Sequence, residues 1–326
     1  MSSREGEMEG SLTVQIVMSL LLIAIPATLI GNVMVLVVIT RLKRALRVTT
    51  HYILLNIAVC DFLSGFLAQP ILLLNLTGWD SKFHEEYPWV CNILGIISAL
   101  LVYVSIFTVA GIAVDRCLVV KLKHRYKFIV TRKRMLAAIF AIWTTAILMV
   151  YPVPKLVFCR SYYFKYINNR MMCVAADHTT GTAGPVGCKK TVAFVEAIAL
   201  IALPVLIVFV SSTVLIVGLY RKLCAQSTVV KRSVETVVVM VAGFYVCVLP
   251  YCVTVPINPV KLGGPGMLIL IFLMHLHSTI NPLIYLLRST KFRKQAVVIG
   301  SEFLKSIDKR QQLKSIRRSM KRRPND

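Results

Sequence analysis

The sequence predicts an all-α integral membrane protein, a bundle of seven transmembrane helices followed by a short amphipathic helix at the inner leaflet. Three observations lead to this fold class. Hydrophobic residues make up 57% of the 326 residues and charged residues only 16%, whereas soluble domains carry about 25% charged residues. The apolar residues form seven continuous blocks rather than amphipathic periods. Each block is long enough to cross a bilayer as a helix, which takes about 20 residues.

The seven apolar segments divide the chain into three parts. Residues 1–11 are a polar N-terminus expected outside the cell, residues 12–287 the transmembrane bundle, and residues 288–326 a cytoplasmic amphipathic helix with a basic tail. The segments are Leu12–Thr40, Val48–Leu74, Trp89–Val119, Met135–Tyr151, Val192–Tyr220, Val234–Val255 and Met267–Leu287. The rest of the chain can be arranged around the third segment. Cys91 lies near its start, beside a polar loop, and Asp115-Arg116 near its end, beside a basic stretch.

Lysines and arginines in the short loops predict the orientation. The loops after the first, third and fifth segments and the tail after the seventh are basic, and the alternate short loops are not. The long loop Pro154–Lys190 is also basic, but long loops weigh less in this rule. We therefore expect a multi-pass plasma-membrane protein with its N-terminus outside.

The net charge of +24 raises the alternative of a nucleic-acid binder. Such proteins carry a basic patch on a soluble fold, but here the basic residues lie between apolar blocks. We therefore expect no nucleic-acid partner. From Arg288 to Ile307 apolar residues alternate with lysines and arginines, which is typical of a helix lying along anionic lipid. Membrane lipid is accordingly an expected partner.

Ionisable and polar residues inside the apolar segments are functional candidates, because their burial in a membrane is costly. The ionisable ones are Asp61, Asp115-Arg116, Glu196, His275 and His277, and the polar ones Asn32, Ser105, Ser278 and Asn281.

Short motifs occur in a fixed order along the seven segments. They are Gly31-Asn32, Asn56 with Cys60-Asp61, Asp115-Arg116-Cys117, Trp143, Pro204, Phe244 with Cys247-Val248 and Pro250, and Asn281-Pro282-Leu283-Ile284-Tyr285. With these motifs the chain resembles a rhodopsin-like (class A) G-protein-coupled receptor over about residues 12 to 305. Cys117 stands where the family has tyrosine, and Val248 where it usually has tryptophan.

The resemblance implies a receptor that binds an extracellular ligand and activates a heterotrimeric G protein through outward movement of the sixth helix. Its coupling switch would consist of Asp115, Arg116, Asn281, Pro282 and Tyr285. Its core between the third, fifth and sixth helices would be Ile106, Pro204 and Phe244. Arrestin and receptor kinases are further implied partners.

The ligand pocket implied by the resemblance lies in the outer half of the bundle. Its members would be Ser98, Val102, Tyr103, Glu196, Val248, Tyr251 and His275. Ser98 stands where amine receptors carry an aspartate, so we do not expect a typical monoamine. His275 stands where opsins carry the retinal-binding lysine, so no retinal is expected. The ligand is left as a small molecule or a peptide.

The family holds a sodium ion at a polar cluster like the one around Asp61, the only cofactor that the resemblance implies. Its members here would be Asn32, Asp61, Ser105, Ser278 and Asn281. The alternative is a polar packing cluster without an ion. His277 stands where the family usually has asparagine, and a charged His277 would compete with a cation for Asp61.

Several restraints of the family's inactive state differ in this chain. The inner end of the sixth segment has Val230 and Val234 instead of an acid opposite Arg116. Val248 stands where the family usually has the bulky tryptophan, so a restraint of the closed state is lost. Ser212 stands where the family commonly has a tyrosine that supports the active form. We expect the loss of closed-state restraints to outweigh the loss of the tyrosine at Ser212. The receptor should therefore signal measurably without agonist.

Cys91 has three candidate disulfide partners on the outer face, Cys159, Cys173 and Cys188. The segments Val157–Phe164 and Met171–Ala175, joined by Asn168-Asn169, predict a β-hairpin. Its second strand would lie over the bundle and reach Cys91, so Cys173 is the preferred partner, although sequence does not fix the connectivity. Asn75-Leu76-Thr77 is a weak glycosylation sequon, close to the end of the second segment.

Two alternative functions would leave different patterns. A transporter or channel with its polar site at Asp61 would commonly show repeated halves, and no internal repeat is visible. An enzyme would need a catalytic or metal cluster at one membrane face. His275 and His277 lie two positions apart and so diverge on a helix. We therefore expect a receptor rather than an enzyme.

Overall fold

The computed structural model describes residues 2–42, 48–77, 86–122, 125–150, 152–153, 162–167, 172–177, 203–220, 238–239, 241–243, 245–251, 253–254 and 264–321. Helices account for nearly all of these residues. They are α1 Ser2–Arg41, α2 Val48–Leu63, α3 Gln69–Leu76, α4 Pro88–Leu122, α5 Tyr126–Ile129, α6 Arg132–Val150, α7 Leu203–Tyr220, α8 Val241–Tyr251, α9 Gly264–Arg288 and α10 Thr290–Lys321. A short π-helical segment, Ser64–Ala68, joins α2 to α3.

Five helical spans within the described ranges are long and apolar enough to cross a membrane. They are Leu12–Arg41, His51–Leu76, Trp89–Val119, Arg132–Val150 and Pro265–Arg288. These spans agree with the first four and the seventh predicted segments to within a few residues. The helices α7 and α8 lie in the fifth and sixth predicted segments, whose remaining parts fall outside the described residues.

The helix α4 is the centre of the described bundle. It contacts α2, α6, α7 and both strands of the hairpin, while α1 packs against α2 and α9. The main core is built from apolar side chains of several helices and includes Val35, Ile57, Ile106, Val109, Val208, Cys247, Val248, Met274 and Ile284. Large apolar side chains such as Phe140 and Phe209 remain exposed on the outside of the bundle. An apolar exterior is what a membrane-spanning bundle presents to lipid.

The predicted hairpin is confirmed. Strand β1, Tyr162–Ile167, pairs antiparallel with β2, Met172–Asp177, with Tyr166 opposite Cys173. The first strand ends three residues later than the predicted Phe164. The start of that predicted strand, residues 157–161, lies outside the described residues.

Two helices are longer than the sequence analysis predicts. The helix α1 begins at Ser2 rather than near Leu12, because strong helix formers such as Glu5 and Met8 continue it outward. The helix α10 runs for 32 residues to Lys321 rather than ending near Ile307. Its second half is rich in Lys, Arg and Gln, which favour helix, and has no proline before Pro324.

The first turns of α10 pack against the inner end of the bundle. Phe292 is buried in the main core, with its ring 6.1 Å from that of Tyr285. Ala296 and Ile299 also pack against this core, so part of the predicted lipid-facing side contacts protein instead. Arg41 at the end of α1 forms an ion pair with Glu302 at 2.7 Å.

Candidate functional site

The polar cluster around Asp61 lies in the interior of the bundle, between α2 and α9. The Asp61 side chain is fully buried, with 0% of its surface exposed. Asn281 Nδ2 donates a hydrogen bond to Asp61 Oδ2 at 2.7 Å. On the other carboxylate oxygen, Oδ1, His277 Nε2 approaches to 3.7 Å. The structure thus places Asp61 beside Asn281, a member of the same predicted cluster, and beside His277.

The other predicted members of the cluster have partners of their own. Asn32 Nδ2 donates to the carbonyl oxygens of Thr28 and Ser278, at 2.9 and 3.1 Å, and so bridges α1 and α9. Ser105 Oγ lies 3.4 Å from Cys60 Sγ. The Ser278 hydroxyl lies 3.3 Å from His277 Nε2.

A second polar network links α2, α4 and α6. Trp143 Nε1 donates to Asn56 Oδ1 at 2.9 Å, and Asn56 Nδ2 donates to Thr108 Oγ1 at 2.8 Å. Thr108 in turn donates to the carbonyl of Val104 at 2.6 Å. Buried amides and hydroxyls need such partners, so this network fixes how the three helices meet. The sequence motif supplied Asn56 and Trp143 but not Thr108.

The inner end of α4 carries the predicted coupling pair in a buried setting. Arg116 Nε lies 3.5 Å from Asp115 Oδ2, and both side chains are buried. The hydroxyl of Tyr126, on the short helix α5, donates to Asp115 Oδ1 at 2.5 Å. The pair is therefore buried rather than solvated. The sequence analysis missed Tyr126, whose only signal is a tyrosine within the basic loop.

The remaining switch residues lie on α9. Pro282 packs closely against α1, where a Cβ on Gly31 would come within 2.9 Å of the proline Cβ. Tyr285 is buried, and its hydroxyl has no hydrogen-bond partner in the described part of the chain. Thr28 and Thr279 add a hydrogen bond of 2.6 Å between α1 and α9.

The outer half of the bundle contains most of the predicted pocket residues. Val102, Val248 and Met274 belong to one buried cluster, and Tyr103 and Tyr251 pack against it. Ser98 is partly exposed on α4. Among the predicted core residues, Ile106 and Pro204 are buried. Glu196 and Phe244 lie outside the described residues, so the pocket and core roles stay predictions.

Gln69 is a polar residue of the outer half that the sequence analysis overlooked. It is buried on α3, and its Nε2 donates to the carbonyl of His275 at 3.1 Å. The His275 side chain is buried as well. The signal was available, because a glutamine inside an apolar segment is as unusual as the ionisable residues.

The structure bears on two further predictions at the outer face. Cys91 is disulfide-bonded, while the side chains of Cys159, Cys173 and Cys188 lie outside those described. The hairpin that carries Cys173 contacts α4.

The sequon residue Asn75 is only 4% exposed within α3, so the structure gives its glycosylation no support.

Comparison with known proteins decides the family. The sequence profile of the family described as "7 transmembrane receptor (rhodopsin family)" matches residues 31–285 of this chain. The chain belongs to this family. It is therefore a multi-pass membrane receptor of the G-protein-coupled class, and neither a transporter nor an enzyme family is favoured.

Two relatives are similar over most of the receptor. Neuropeptide receptor 22 of Caenorhabditis elegans is 24% identical over 303 residues, which cover 85% of this chain and 67% of that protein. Adenosine receptor A2b of Gallus gallus is 26% identical over 322 residues and covers 91% of each. Neuropeptide FF receptor 2 of Mus musculus is 33% identical over 128 residues, 38% of this chain and 28% of that protein.

Proposed function

We propose that this receptor binds an extracellular small molecule or peptide in the outer half of its bundle and activates a heterotrimeric G protein when its sixth helix moves outward. The buried Asp115–Arg116–Tyr126 arrangement at the inner end of α4 carries the proposal. An arginine is always charged, so its burial is maintained only while the neighbouring carboxylate compensates it. A movement that opens the inner end would expose this charge to a partner protein.

The Tyr285 hydroxyl provides a second feature of a two-state element. In the structure it is buried and lacks a hydrogen-bond partner among the described residues. A rearranged state in which it gains a partner would recover about 1–3 kcal/mol, the usual cost of an unsatisfied buried polar group. An agonist shifts the equilibrium only through its differential affinity for the two states. We therefore propose that the Tyr285 hydroxyl gains a hydrogen-bond partner in the open state and thereby stabilises it.

The coupling role is tested by G-protein activation in cells with matched surface expression. Arg116→Ala should abolish activation, and Arg310→Ala is the control, because Arg310 is an exposed arginine on α10. The wild-type receptor should signal above an empty vector without agonist, since Val230, just before the sixth segment, stands where the family often has an acid. Equal signals from wild type, Arg116→Ala and vector at every ligand tested would contradict the proposal.

The ligand class is tested by a screen with the same readout. The two relatives that match over most of the chain are named for neuropeptides and for adenosine, so nucleosides and short peptides form its first two arms. Tyr103→Ala and Tyr251→Ala should weaken the response to the true ligand, because both tyrosines border the buried outer cluster. Neither substitution should change the response to a ligand that binds at a different site on the receptor. No retinal is expected, since His275 is not a Schiff-base lysine.

We also propose residence in the plasma membrane with the N-terminus outside. The basic short loops and tail support this orientation, and the disulfide-bonded Cys91 requires an oxidising face. Beyond the G protein, arrestin, receptor kinases and inner-leaflet lipid are proposed partners. Exposed Val297 and Leu304 on the basic helix α10 support the lipid contact. An N-terminal epitope should be stained on intact cells and a C-terminal epitope only after permeabilisation.

A further inference from the structure

The cluster around Asp61 is where the family resemblance implies a sodium ion, and its donor set can be compared with what such an ion needs. A hard cation binds through carboxylate, carbonyl, hydroxyl and water oxygens. Of the two carboxylate oxygens, Oδ2 already accepts the hydrogen bond of Asn281. Oδ1 has no hydrogen-bond partner among the described residues, and the group facing it is the Nε2 nitrogen of His277, 3.7 Å away.

The imidazole of His277 is held in this position from its other side. Its Nδ1 is in hydrogen-bond contact with the carbonyl oxygen of Met274, one turn earlier on α9. A carbonyl oxygen can only accept, so Nδ1 carries a hydrogen and Nε2 is the atom that faces the carboxylate. Nε2 can then pair with Oδ1 only through a proton carried by the imidazole or by the carboxyl group. The ring is buried, with only 3% of the residue exposed. A nitrogen group therefore stands beside the free carboxylate oxygen, where an ion would have to bind.

The neighbouring hydroxyl groups already have partners. The Ser278 oxygen lies against His277 Nε2 and within hydrogen-bond reach of Asp61, and the Ser105 oxygen lies against Cys60 Sγ. These oxygens keep lone pairs that could ligate an ion, so the obstacle is the imidazole beside Oδ1. An ion bound to Oδ1 would have to displace the imidazole and break its contact with Met274. The residues present therefore do not fit a sodium ion.

We propose that the imidazole of His277 takes the place of the sodium ion as the resident partner of Asp61. The inference goes beyond the proposed function, because it concerns the ion dependence of the folded bundle. It follows that the stability of this receptor does not respond to sodium as distinct from other monovalent cations. His277 is the residue that prevents the response, and an amide or hydroxyl at this position creates an oxygen ligand and space for the ion.

The test is thermal unfolding of the purified full-length receptor in sodium, potassium or choline chloride at one pH and an ionic strength of about 0.15 M. The wild-type midpoint should be the same in all three salts. His277→Asn should unfold about 2–4 °C higher in sodium than in the other two salts, as binding to the folded state alone requires. Adding Asp61→Asn to His277→Asn should remove that difference.

Each outcome bears on the inference. A sodium-specific rise in the wild-type receptor that Asp61→Asn abolishes would overturn it. A folded His277→Asn receptor without any sodium response would overturn the assignment of His277 as the excluding group. If His277→Asn does not fold, His277→Ser provides the oxygen ligand instead. The comparison of the wild-type midpoint in the three salts depends on neither variant. Neither ligand nor G protein enters the assay, so its failure is distinguishable from failure of the proposed function.

Discussion

The contact between Gly31 on α1 and Pro282 on α9 makes a sharp prediction about stability. A Cβ built on Gly31 would lie 2.9 Å from Pro282 Cβ and 3.0 Å from Pro282 Cγ. The proline ring is covalently closed and cannot rotate away. In Gly31→Ala the two helices must therefore separate, although both are held by the neighbouring hydrogen bond between Thr28 and Thr279.

The size of the effect follows from two opposing contributions. Overpacking of a tightly packed contact costs about 1–3 kcal/mol. Replacing glycine by alanine within a helix returns about 0.5–1 kcal/mol. At the middle of both ranges, about 2 against about 0.75 kcal/mol, the net loss in the free energy of unfolding is about 1.3 kcal/mol. At about 2–4 °C per kcal/mol, that loss lowers the thermal midpoint by about 3–5 °C.

Gly111 on α4 is the matched control. Its added Cβ would lie 3.7 Å from Ile53 Cδ1 and 4.0 Å from Ile142 Cδ1, which is ordinary contact. Thermal unfolding of the purified receptor should show Gly111→Ala unchanged or slightly more stable and Gly31→Ala less stable. The reasoning is refuted if Gly31→Ala unfolds at the wild-type temperature, or if both variants lose stability equally.

Three further predictions concern the inner and outer faces. Tyr126→Phe should lower the free energy of unfolding by about 1.5–3 kcal/mol in thermal or denaturant unfolding, because it removes a hydrogen bond to the buried Asp115 carboxylate; a wild-type value would mean that the bond contributes nothing. Cys91→Ala and Cys173→Ala should each reduce surface staining sharply and to the same extent, since losing a bridge costs about 2–5 kcal/mol; a silent Cys173→Ala would point to another partner. Val230→Glu should lower agonist-independent G-protein activation at equal surface level, and an unchanged or higher signal would remove the role assigned to this position.

The sequence predicted most of the apolar helices and the polar cluster because both depend on strong signals. A membrane-length apolar run admits one backbone solution, and a polar residue inside it needs a partner. The contact between Asp61 and Asn281 joins residues 220 positions apart, yet the two motifs together were enough to anticipate it. The hairpin was predictable for a similar reason, since two β-rich runs flank an asparagine pair.

Other contacts had no comparable signal. Tyr126 lies in a basic loop without periodicity, and only the folding of the four-residue helix α5 brings its hydroxyl to Asp115. The extent of α10 depends on helix propensity beyond the apolar pattern, so its end was misjudged. The engagement of His277 with Met274 is set by a side-chain rotation, which no residue pattern encodes. Only the Tyr126 contact depends on tertiary geometry, because the end of α10 follows from local helix propensity and the His277 contact from a side-chain rotation within one helix.

The described contacts give α9 a central place in coupling the outer and inner halves of the receptor. Near its middle the carbonyl of His275 accepts from Gln69, and further along Asn281 donates to Asp61. One residue further on, Pro282 packs against α1, and the helix then reaches Tyr285 beside Phe292 of α10. These contacts occur along a single continuous helix, so a rotation or shift imposed at its outer end alters several of them together. Each such hydrogen bond contributes about 0.5–1.5 kcal/mol. A ligand that bound one arrangement of α9 more tightly by a similar amount would shift the equilibrium toward that arrangement.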